Sequence, residues 1–296
     1  MTDNSIWNRL QSIDPRVIYA ALLVFVVAPL LFPLSLPNIA SVPAVQAYGT
    51  IEHIAKSNPR AIVLITSDWA ASTRGESHWQ DVAALRQLMM HHLRFAEVSF
   101  DPQNRSLEQA DIADVNEELE RTMPGYVPYV YGRDYCLTGY RPSTAIPQFL
   151  KGLVDDVPGT IHADYRGNPI RGLPCMRDVK TVRDFAAIEL ITPSSLLDTF
   201  LQFVSSKNGG PPLIYFPTSV MAPEGYPYLD SHQIAGMVTG IKGAGDYEQL
   251  ENVDGFGRKI ATALSLVYLL ILLLILIGNV SYYVERGVKR RGGSGA

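Results

Sequence analysis

The sequence predicts an α/β protein: a Rossmann-like, doubly wound, mostly parallel sheet of about five strands, flanked by one N-terminal and one C-terminal transmembrane helix. Two long apolar segments without charged residues lie near the two ends of the chain. Between them, short runs rich in Val and Ile alternate with longer segments that carry apolar residues at helical spacing. The net charge of −4, with acidic and basic residues mixed, is ordinary for a globular domain and argues against nucleic acid as a partner.

The C-terminal apolar segment is long enough to cross a bilayer. From Ile260 to Val284 it has no Asp, Glu, Lys or Arg, and its centre, Leu269 to Ile277, is purely aliphatic. These 25 residues make roughly 37 Å of helix, against a hydrocarbon layer of about 30 Å. A buried helix of a soluble protein is the alternative, but such helices rarely reach this length without a charge. The sequence therefore predicts a transmembrane helix over residues 258–284.

The N-terminal apolar segment, Val17 to Leu36, is a second transmembrane candidate. Its two prolines, Pro29 and Pro33, are tolerated in membrane helices. A cleaved signal peptide is the alternative, since "VQA" at Val45–Ala47 resembles a small-residue cleavage site. The apolar run is longer than the core of a usual signal peptide, and the region before it is only weakly positive, since it carries Asp3 and Asp14 beside Arg9 and Arg16. Both observations favour an uncleaved anchor over residues 17–36.

Basic residues near the two segments predict the orientation. Arg9 and Arg16 precede the first segment, and a basic cluster over residues 286–291 follows the second. The positive-inside rule then places residues 1–16 and the basic tail 285–296 in the cytoplasm. Residues 37–257 are then an extracytoplasmic domain, in a bacterial or archaeal cell membrane. Arg258 and Lys259 argue against this orientation, because they lie at the outer end of the second segment.

The outer domain reads as alternating strands and helices. The predicted strands are Ala61–Ile65 and the segments FAEVSFDP, DYCLTGY, DFAAIELIT and PPLIYFPTS. The predicted helices are Tyr48–Ser57, Ser77–Leu93, Glu108–Arg121, Thr144–Leu153 (interrupted by Pro147), Ser194–Ser205 and Ser231–Thr239. The Gly- and Pro-rich segment Asp155–Asp184 keeps apolar residues throughout and is expected to be an ordered excursion.

Ligands of such sheets bind outside the carboxyl ends of the strands, and polar residues follow several predicted strands there. The candidate ligand-binding residues are Ser67, Asp68, Asp101, Arg141, Ser194, Ser195 and Thr218. The alternative role of Ser194 and Ser195 is to cap the helix that follows.

Motifs for known reactions are absent from the sequence. It has no G-x-S-x-G elbow, no phosphate-loop spacing in GIKGAGDYE, and no glycine-rich turn after the first strand. The six histidines lack metal-ligand spacing, and we expect them to lie on the surface. We therefore predict no catalytic residue, no metal and no cofactor.

Four glycines near the last predicted strand, Gly236, Gly240, Gly243 and Gly245, allow close backbone approach. They predict an assembly surface near the bilayer, with an ordinary loop–helix–loop as the alternative. Asn279, in the second apolar segment, could bond to a neighbouring helix or be an interfacial polar residue.

The two cysteines, Cys136 and Cys175, both fall in the outer domain. Outside the cytoplasm they could form one disulfide. The alternative is two buried, small apolar side chains.

The motif LTGYRP, the segment from Val220 to Leu250 and the closing "GN" with Tyr282 resemble a group of prokaryotic membrane proteins with one N-terminal and one C-terminal helix around an α/β domain. The group has no established activity, so the resemblance implies an architecture and no catalytic residue.

Three functional hypotheses follow from these patterns. The leading one is a membrane-anchored binding or assembly protein in a membrane complex, with copies of itself or other membrane proteins as partners beside the lipid bilayer. The second is a small-ligand sensor or transporter accessory that uses Asp68, Arg141 and the strand-end hydroxyls. The third is a serine-type hydrolase based on Ser67 or Ser195.

Overall fold

The computed structural model describes residues 14–32, 39–204 and 209–292. The chain divides into two compact units, residues 1–38 with 258–296, and residues 39–257. Parts of five predictions lie outside the described residues: 1–13 of the N-terminal tail, 33–36 of the first apolar segment, 37–38 of the outer domain, residue 205 of the helix predicted over Ser194–Ser205, and 293–296 of the basic tail.

The first unit contains two apolar helices. Helix α1 covers Pro15–Leu31, begins where the Asp14 carboxylate accepts a hydrogen bond from the Arg16 N–H at 2.9 Å, and has 17 residues. At about 1.5 Å per residue it is about 25 Å long, shorter than a bilayer core. Helix α10 covers Phe256–Gly292. Its stretch Phe256–Val284 is long enough to span a membrane and contains an 18-residue window with a mean hydropathy of 3.0. The expectation of two apolar helices is confirmed, with one of them of full spanning length.

The second unit is built on a six-stranded parallel sheet in the order β3-β2-β1-β4-β5-β6. The strands are β1 (Ile62–Ser67), β2 (Arg94–Ser99), β3 (Tyr135–Tyr140), β4 (Ala187–Thr192), β5 (Leu213–Pro217) and β6 (Gly236–Met237). The predicted Rossmann-like parallel sheet is confirmed, with one strand more than expected.

Helices cover both faces of the sheet. They are α2 (Val42–Ser57), α3 (Arg74–Met90), α4 (Asn104–Thr122), α5 (Ile146–Asp155), α6 (Val157–Ile161), α7 (Leu197–Val204), α8 (Ala222–Asp230) and α9 (Gly240–Leu250). Pro147, expected to interrupt α5, lies in its first turn, where proline is compatible with a helix. The segment 155–184 is ordered, as expected, and contains α6 and short 3-10 turns.

Strand β1 shows why the sheet needs two helical layers. Its six residues are all buried, so both faces must be covered. Ile62 and Leu64 pack into one core with α5 and α7, while Val63 and Ile65 pack into the other with α2, α3 and α4. This alternation follows from the two-residue period of a strand.

The C-terminal part of the domain differs from the sequence prediction. The helix expected over Ser231–Thr239 is wrong: helix α8 ends at Asp230, and strand β6 pairs Gly236 with Ile214 and Met237 with Tyr215 of β5. His232, with φ +55°, turns the chain between them. A two-residue strand that begins with glycine gives almost no periodic signal, which explains the error.

Candidate functional site at the carboxyl ends of the strands

The strand order reverses between β1 and β4, so the crevice outside their carboxyl ends is the expected ligand position of this fold. Asp68 directly follows β1, and its N–H donates to the Ile191 carbonyl of β4 at 3.0 Å. The Thr192 hydroxyl, at the end of β4, donates to Asp68 Oδ2 at 3.1 Å. The Ser194 N–H donates to the Thr192 hydroxyl oxygen at 2.9 Å. The predicted residues Asp68 and Ser194 therefore meet at this crevice, with Thr192 between them.

The Asp68 carboxyl is partly desolvated. Burial raises its pKa, hydrogen bonds from Ser194 and Thr192 oppose that rise, and the nearby Asp101 carboxylate adds to it. Asp101 itself accepts a hydrogen bond from the Gln103 N–H at 2.7 Å and begins the turn into α4. Two acidic side chains from neighbouring strand ends thus make this crevice negative.

Ser67 is buried at the last position of β1. Its hydroxyl oxygen accepts a short hydrogen bond from the Asn104 side-chain amide, which also donates to Glu108 Oε1 at 2.7 Å. Ser195 donates to Glu224 Oε2 at 3.0 Å. Among the hydrogen bonds of the described residues, no histidine contacts Ser67 or Ser195, so the hydrolase hypothesis gains no support.

The remaining candidates have local roles. The Thr218 carbonyl accepts from the N–H groups of Met221 and Ala222 at the start of α8. The next residue, Ser219, donates its N–H and its hydroxyl to Glu76 Oε2, both at 2.7 Å. Glu76 and Glu224 were not identified from the sequence, and both add negative charge near the ends of β4 and β5.

Arg141 lies in a separate depression of about 560 Å³ beyond β3, together with Phe149 and Lys151. Its guanidinium donates to the Tyr140 carbonyl at 3.1 Å and to the Ile161 carbonyl at 3.3 Å. Burial lowers its pKa. Both of these acceptors are backbone carbonyls, so the Arg141 guanidinium holds α6 against the end of β3.

A second group of polar residues, which we name the inner carboxyl cluster, lies between the sheet and helices α3 and α4. It consists of Asp81 on α3, Glu97 on β2, and Glu108 and Asp111 on α4, all buried. His78 Nδ1 lies 3.0 Å from the Asp111 carboxylate. Asn104 connects the cluster to Ser67 at the end of β1.

Within the cluster two carboxyl groups lie close to a second one, Glu97 to Glu108 and Asp81 to Asp111. Burial, with repulsion from neighbouring carboxylates, raises the pKa of Glu97 and of Asp81 well above the usual range. Burial also raises the pKa of Glu108 to about 8, against the hydrogen bond from Glu97. Two ionised carboxylates cannot donate to each other, so a hydrogen bond within either pair requires a proton.

A further carboxyl group occupies the same face of the sheet. Ile65 of β1 pairs in register with Glu97 on one side and with Glu189 of β4 on the other. Glu189 is fully buried, and burial raises its pKa to about 8. Glu97 and Glu189 are the acidic residues that interrupt the apolar runs of the segments FAEVSFDP and DFAAIELIT, and this was the sequence signal for the two positions.

The expectation that the histidines lie on the surface is wrong for His78, which is 7% exposed. Among the residues that the structure describes, no three His, Cys, Asp or Glu side chains are arranged to hold a metal ion.

No protein-family model matches the chain, and no curated protein matches it. A solved structure described as "OtsA apo structure" aligns with 86% of this chain and 50% of its own length, at 9% identity and a TM-score of 0.34. The chain thus spans half the length of that protein, and a similarity at this level supports no functional argument.

The four glycines of the predicted assembly surface lie in the interior of the domain. A Cβ on Gly236 would overlap the backbone of Ala47 on α2, and one on Gly243 would come within 2.7 Å of the Val238 backbone. A Cβ on Gly240, which has φ +52°, would overlap Ser219 and Glu76, and Gly245 is buried in α9. The close approach that glycine permits therefore serves internal packing of α2, α9 and β6.

Asn279 has a partner within its own helix. Its side-chain amide donates to the Ile275 carbonyl one turn earlier at 2.8 Å. This bond satisfies one of its donors without a neighbouring helix.

The cysteines are free, buried and in contact. Cys136 lies on β3 and Cys175 in a 3-10 turn of the 155–184 segment. The hydrogen bond between the two thiols, together with burial, raises the pKa of Cys136 well above its usual value. The contact would let thiol–disulfide exchange with an oxidised dithiol carrier join the two sulfurs, in a compartment where such carriers operate.

We expect this pair to be oxidised in cells if the domain lies outside the cytoplasm. Membranes are to be dissolved in denaturant, with and without prior reduction, and their free thiols labelled with a maleimide-linked polymer that adds mass for each tag. Wild-type chain should gain two tags only after reduction, whereas Cys136→Ser and Cys175→Ser should each gain one tag in both conditions. Protease added to spheroplasts is the independent control for location, and a protease-accessible domain with two free thiols would contradict the expected bond.

Proposed function

We propose that the chain is a membrane-anchored ligand-binding protein, a sensor or transporter accessory, whose α/β domain holds a small cationic or hydroxyl-rich ligand outside the cytoplasm. The crevice outside β1 and β4 is the proposed binding position. Helix α10 is the proposed anchor, assisted by the shorter α1, with both termini in the cytoplasm as the basic residues predict.

The observation that carries this proposal is the position of Asp68. Its carboxyl lies at the point where the strand order reverses, held by the Thr192 hydroxyl and by Ser194. A carboxylate surrounded by hydroxyl groups can accept hydrogen bonds from an amine or from the hydroxyls of a sugar-like molecule. Desolvation strengthens such contacts, because the local dielectric constant is lower than in water.

The same position argues against a phosphate-bearing ligand. In nucleotide-binding sheets, a glycine-rich turn after the first strand brings backbone N–H groups to the phosphate. Here the connection reads Ser67-Asp68-Trp69-Ala70, with no glycine and with a carboxylate at its centre. Asp101 adds a second negative charge, so an anion would meet repulsion where it should be bound.

The assembly hypothesis loses one of the observations that motivated it, since its glycines pack inside the domain. Homo-oligomers or other membrane proteins as partners remain predictions. Ligand binding is therefore the hypothesis that the geometry supports best.

Substitution of Asp68 tests the proposal. Purified full-length protein in detergent is to be screened by thermal shift against polyamines, free amino acids, monosaccharides and disaccharides, with nucleotides as the anionic comparison. We expect stabilisation by a cationic or hydroxylated compound, and a Kd about tenfold to a hundredfold weaker in Asp68→Asn, because a hydrogen bond to a charged group is removed. Asp230→Asn, at an exposed position at the end of α8, is the matched control and should bind as the wild type does. Stabilisation by nucleotides alone, or equal affinity in Asp68→Asn, would contradict the proposed site.

A further inference from the structure

We propose that the inner carboxyl cluster is a proton-binding site: Glu97 with Glu108, and Asp81 with Asp111, each hold one shared proton. Release of these protons at alkaline pH loosens the packing of α3 and α4 on the sheet. This inference is independent of the ligand proposed for the crevice.

The hydrogen-bond inventory of the cluster points to bound protons. Both oxygens of Asp81 and both oxygens of Glu97 are buried without a hydrogen-bond donor among the described residues. An unpartnered buried carboxylate is strongly unfavourable, and protonation is the ordinary way in which a protein avoids it. A proton on one member of each pair turns an acceptor into a donor for the other member.

A neutral side chain gives a second, independent indication. Asn104 is fully buried, and its amide nitrogen donates to Ser67 and to Glu108. Its Oδ1 atom has no partner in the described part of the chain. The Asn104 amide oxygen therefore shows the same shortage of hydrogen-bond donors, at a group that carries no charge of its own.

The surroundings offer little positive charge to replace these protons. Among the described residues, four groups face the cluster: His78 on α3, the indole of Trp69 in the connection before α3, Tyr135 on β3, and Glu189 on β4. Tyr247 of α9 lies beyond Glu189. His78 pairs with the Asp111 carboxylate. The Trp69 indole nitrogen is buried near Asp81 without a hydrogen-bond partner in the described part of the chain. The two phenols and Glu189 bring no positive charge.

The direction of the pH dependence follows from these environments. The pKa values of Glu108 and Glu189 are raised to about 8, and burial raises the pKa values of Asp81 and Glu97 well above their usual range. A carboxyl group whose pKa is raised on folding stabilises the fold fully below its unfolded pKa, and this contribution is lost as the pH rises through the folded pKa. Groups with lowered pKa, such as Asp164 and Asp184, act at pH values below this window.

Stability should therefore fall from about pH 4.5, the ordinary pKa of a glutamate, through about pH 8, the raised pKa of Glu108 and Glu189. Denaturant unfolding of the full-length protein in detergent, followed by tryptophan fluorescence, measures this change. The folded-to-unfolded ratio should drop by up to about tenfold per pH unit for each proton released. A ratio that is constant or rises over this range would overturn the proposal.

Glu97→Gln tests the site itself. The glutamine amide can donate to Glu108 in place of the shared proton, so we expect a folded protein whose stability depends less steeply on pH. Glu117→Gln, at an exposed position of α4, is the matched control and should keep the wild-type slope. A wild-type slope in Glu97→Gln would contradict the assignment.

Infrared spectroscopy of the wild type provides a readout that does not require a variant to fold. The carbonyl stretch of buried protonated carboxyl groups should be present at neutral pH and disappear on alkaline titration. Asp81→Asn serves as the second variant, and a neutral-pH spectrum without that band would overturn the proposal.

Discussion

Arg86→Met should lower the free energy of unfolding by about 3–5 kcal/mol, the cost of leaving a buried charge without its partner. Arg86 is buried on α3 and makes a bidentate pair with Glu118 of α4, at 3.0 and 2.9 Å. It also donates to Glu251, after α9, at 3.0 Å. One guanidinium thus ties three helices, and methionine keeps much of its volume while it removes the charge.

The penalty should depend on pH. Burial raises the pKa of Glu251 to about 8 even with Arg86 present, which opposes the rise. Without Arg86 the carboxyl can avoid the penalty only by binding a proton, so the loss should be larger at alkaline than at mildly acidic pH. Denaturant unfolding of the wild type and of Arg86→Met, each at an alkaline and at a mildly acidic pH, measures this difference in stability.

Two further variants separate the buried pair from general surface effects. Arg86→Met with Glu251→Gln should recover part of the loss, since no unpaired charge remains. Arg133→Met removes an exposed guanidinium that pairs with Asp134, and should change stability little because solvent screens that pair. Equal losses in Arg86→Met and Arg133→Met would show that the buried network does not contribute as argued.

Gly236→Ala should destabilise the domain by about 3 kcal/mol, at the upper end of the cost of overpacking. The new Cβ would overlap the backbone and side chain of Ala47, and a helix backbone cannot move aside as a flexible side chain can. Ala47 lies on the buried face of α2 with Ile51 and Ile54. Strand β6 would have to separate from α2, and denaturant unfolding measures the cost.

A control with the opposite sign lies on the same helix. Gly49 of α2 has no atom within 4 Å of the position of a Cβ. Gly49→Ala should therefore stabilise the protein by about 0.5–1 kcal/mol, because alanine loses less backbone entropy than glycine in a helix. If both substitutions were neutral, the close approach of β6 to α2 would be refuted.

The sequence predicts the sheet well where burial imposes a continuous pattern. The run Ala61–Ile65 reads as a strand covered on both faces, and β1 is buried at every position. The rule that ligands bind outside strand carboxyl ends selects Asp68 and Ser194 from the sequence alone, and these two side chains do meet in the structure. Arg141, selected by the same rule, lies in a separate depression, because two strands, β2 and β1, separate β3 from β4.

The inner carboxyl cluster escapes sequence reasoning for a physical reason. Asn104, Glu108 and Asp111 continue the same helical stripe as Val115 and Leu119, which face the core. A polar extension of an apolar stripe looks solvated unless the opposite strand is known to supply Glu97. Likewise, β6 is defined by its pairing with β5 and its contact with α2, neither of which is a local property of two residues.

The brevity of β6 also bears on self-association. An exposed strand at the margin of a sheet offers unpaired backbone groups on which a foreign strand can add, and proteins commonly blunt such margins. With two residues, β6 provides too short a template for stable intermolecular pairing. The six-residue β3 lies at the opposite margin, where the Tyr165 N–H donates to the Leu137 carbonyl at 3.0 Å and so occupies part of that margin.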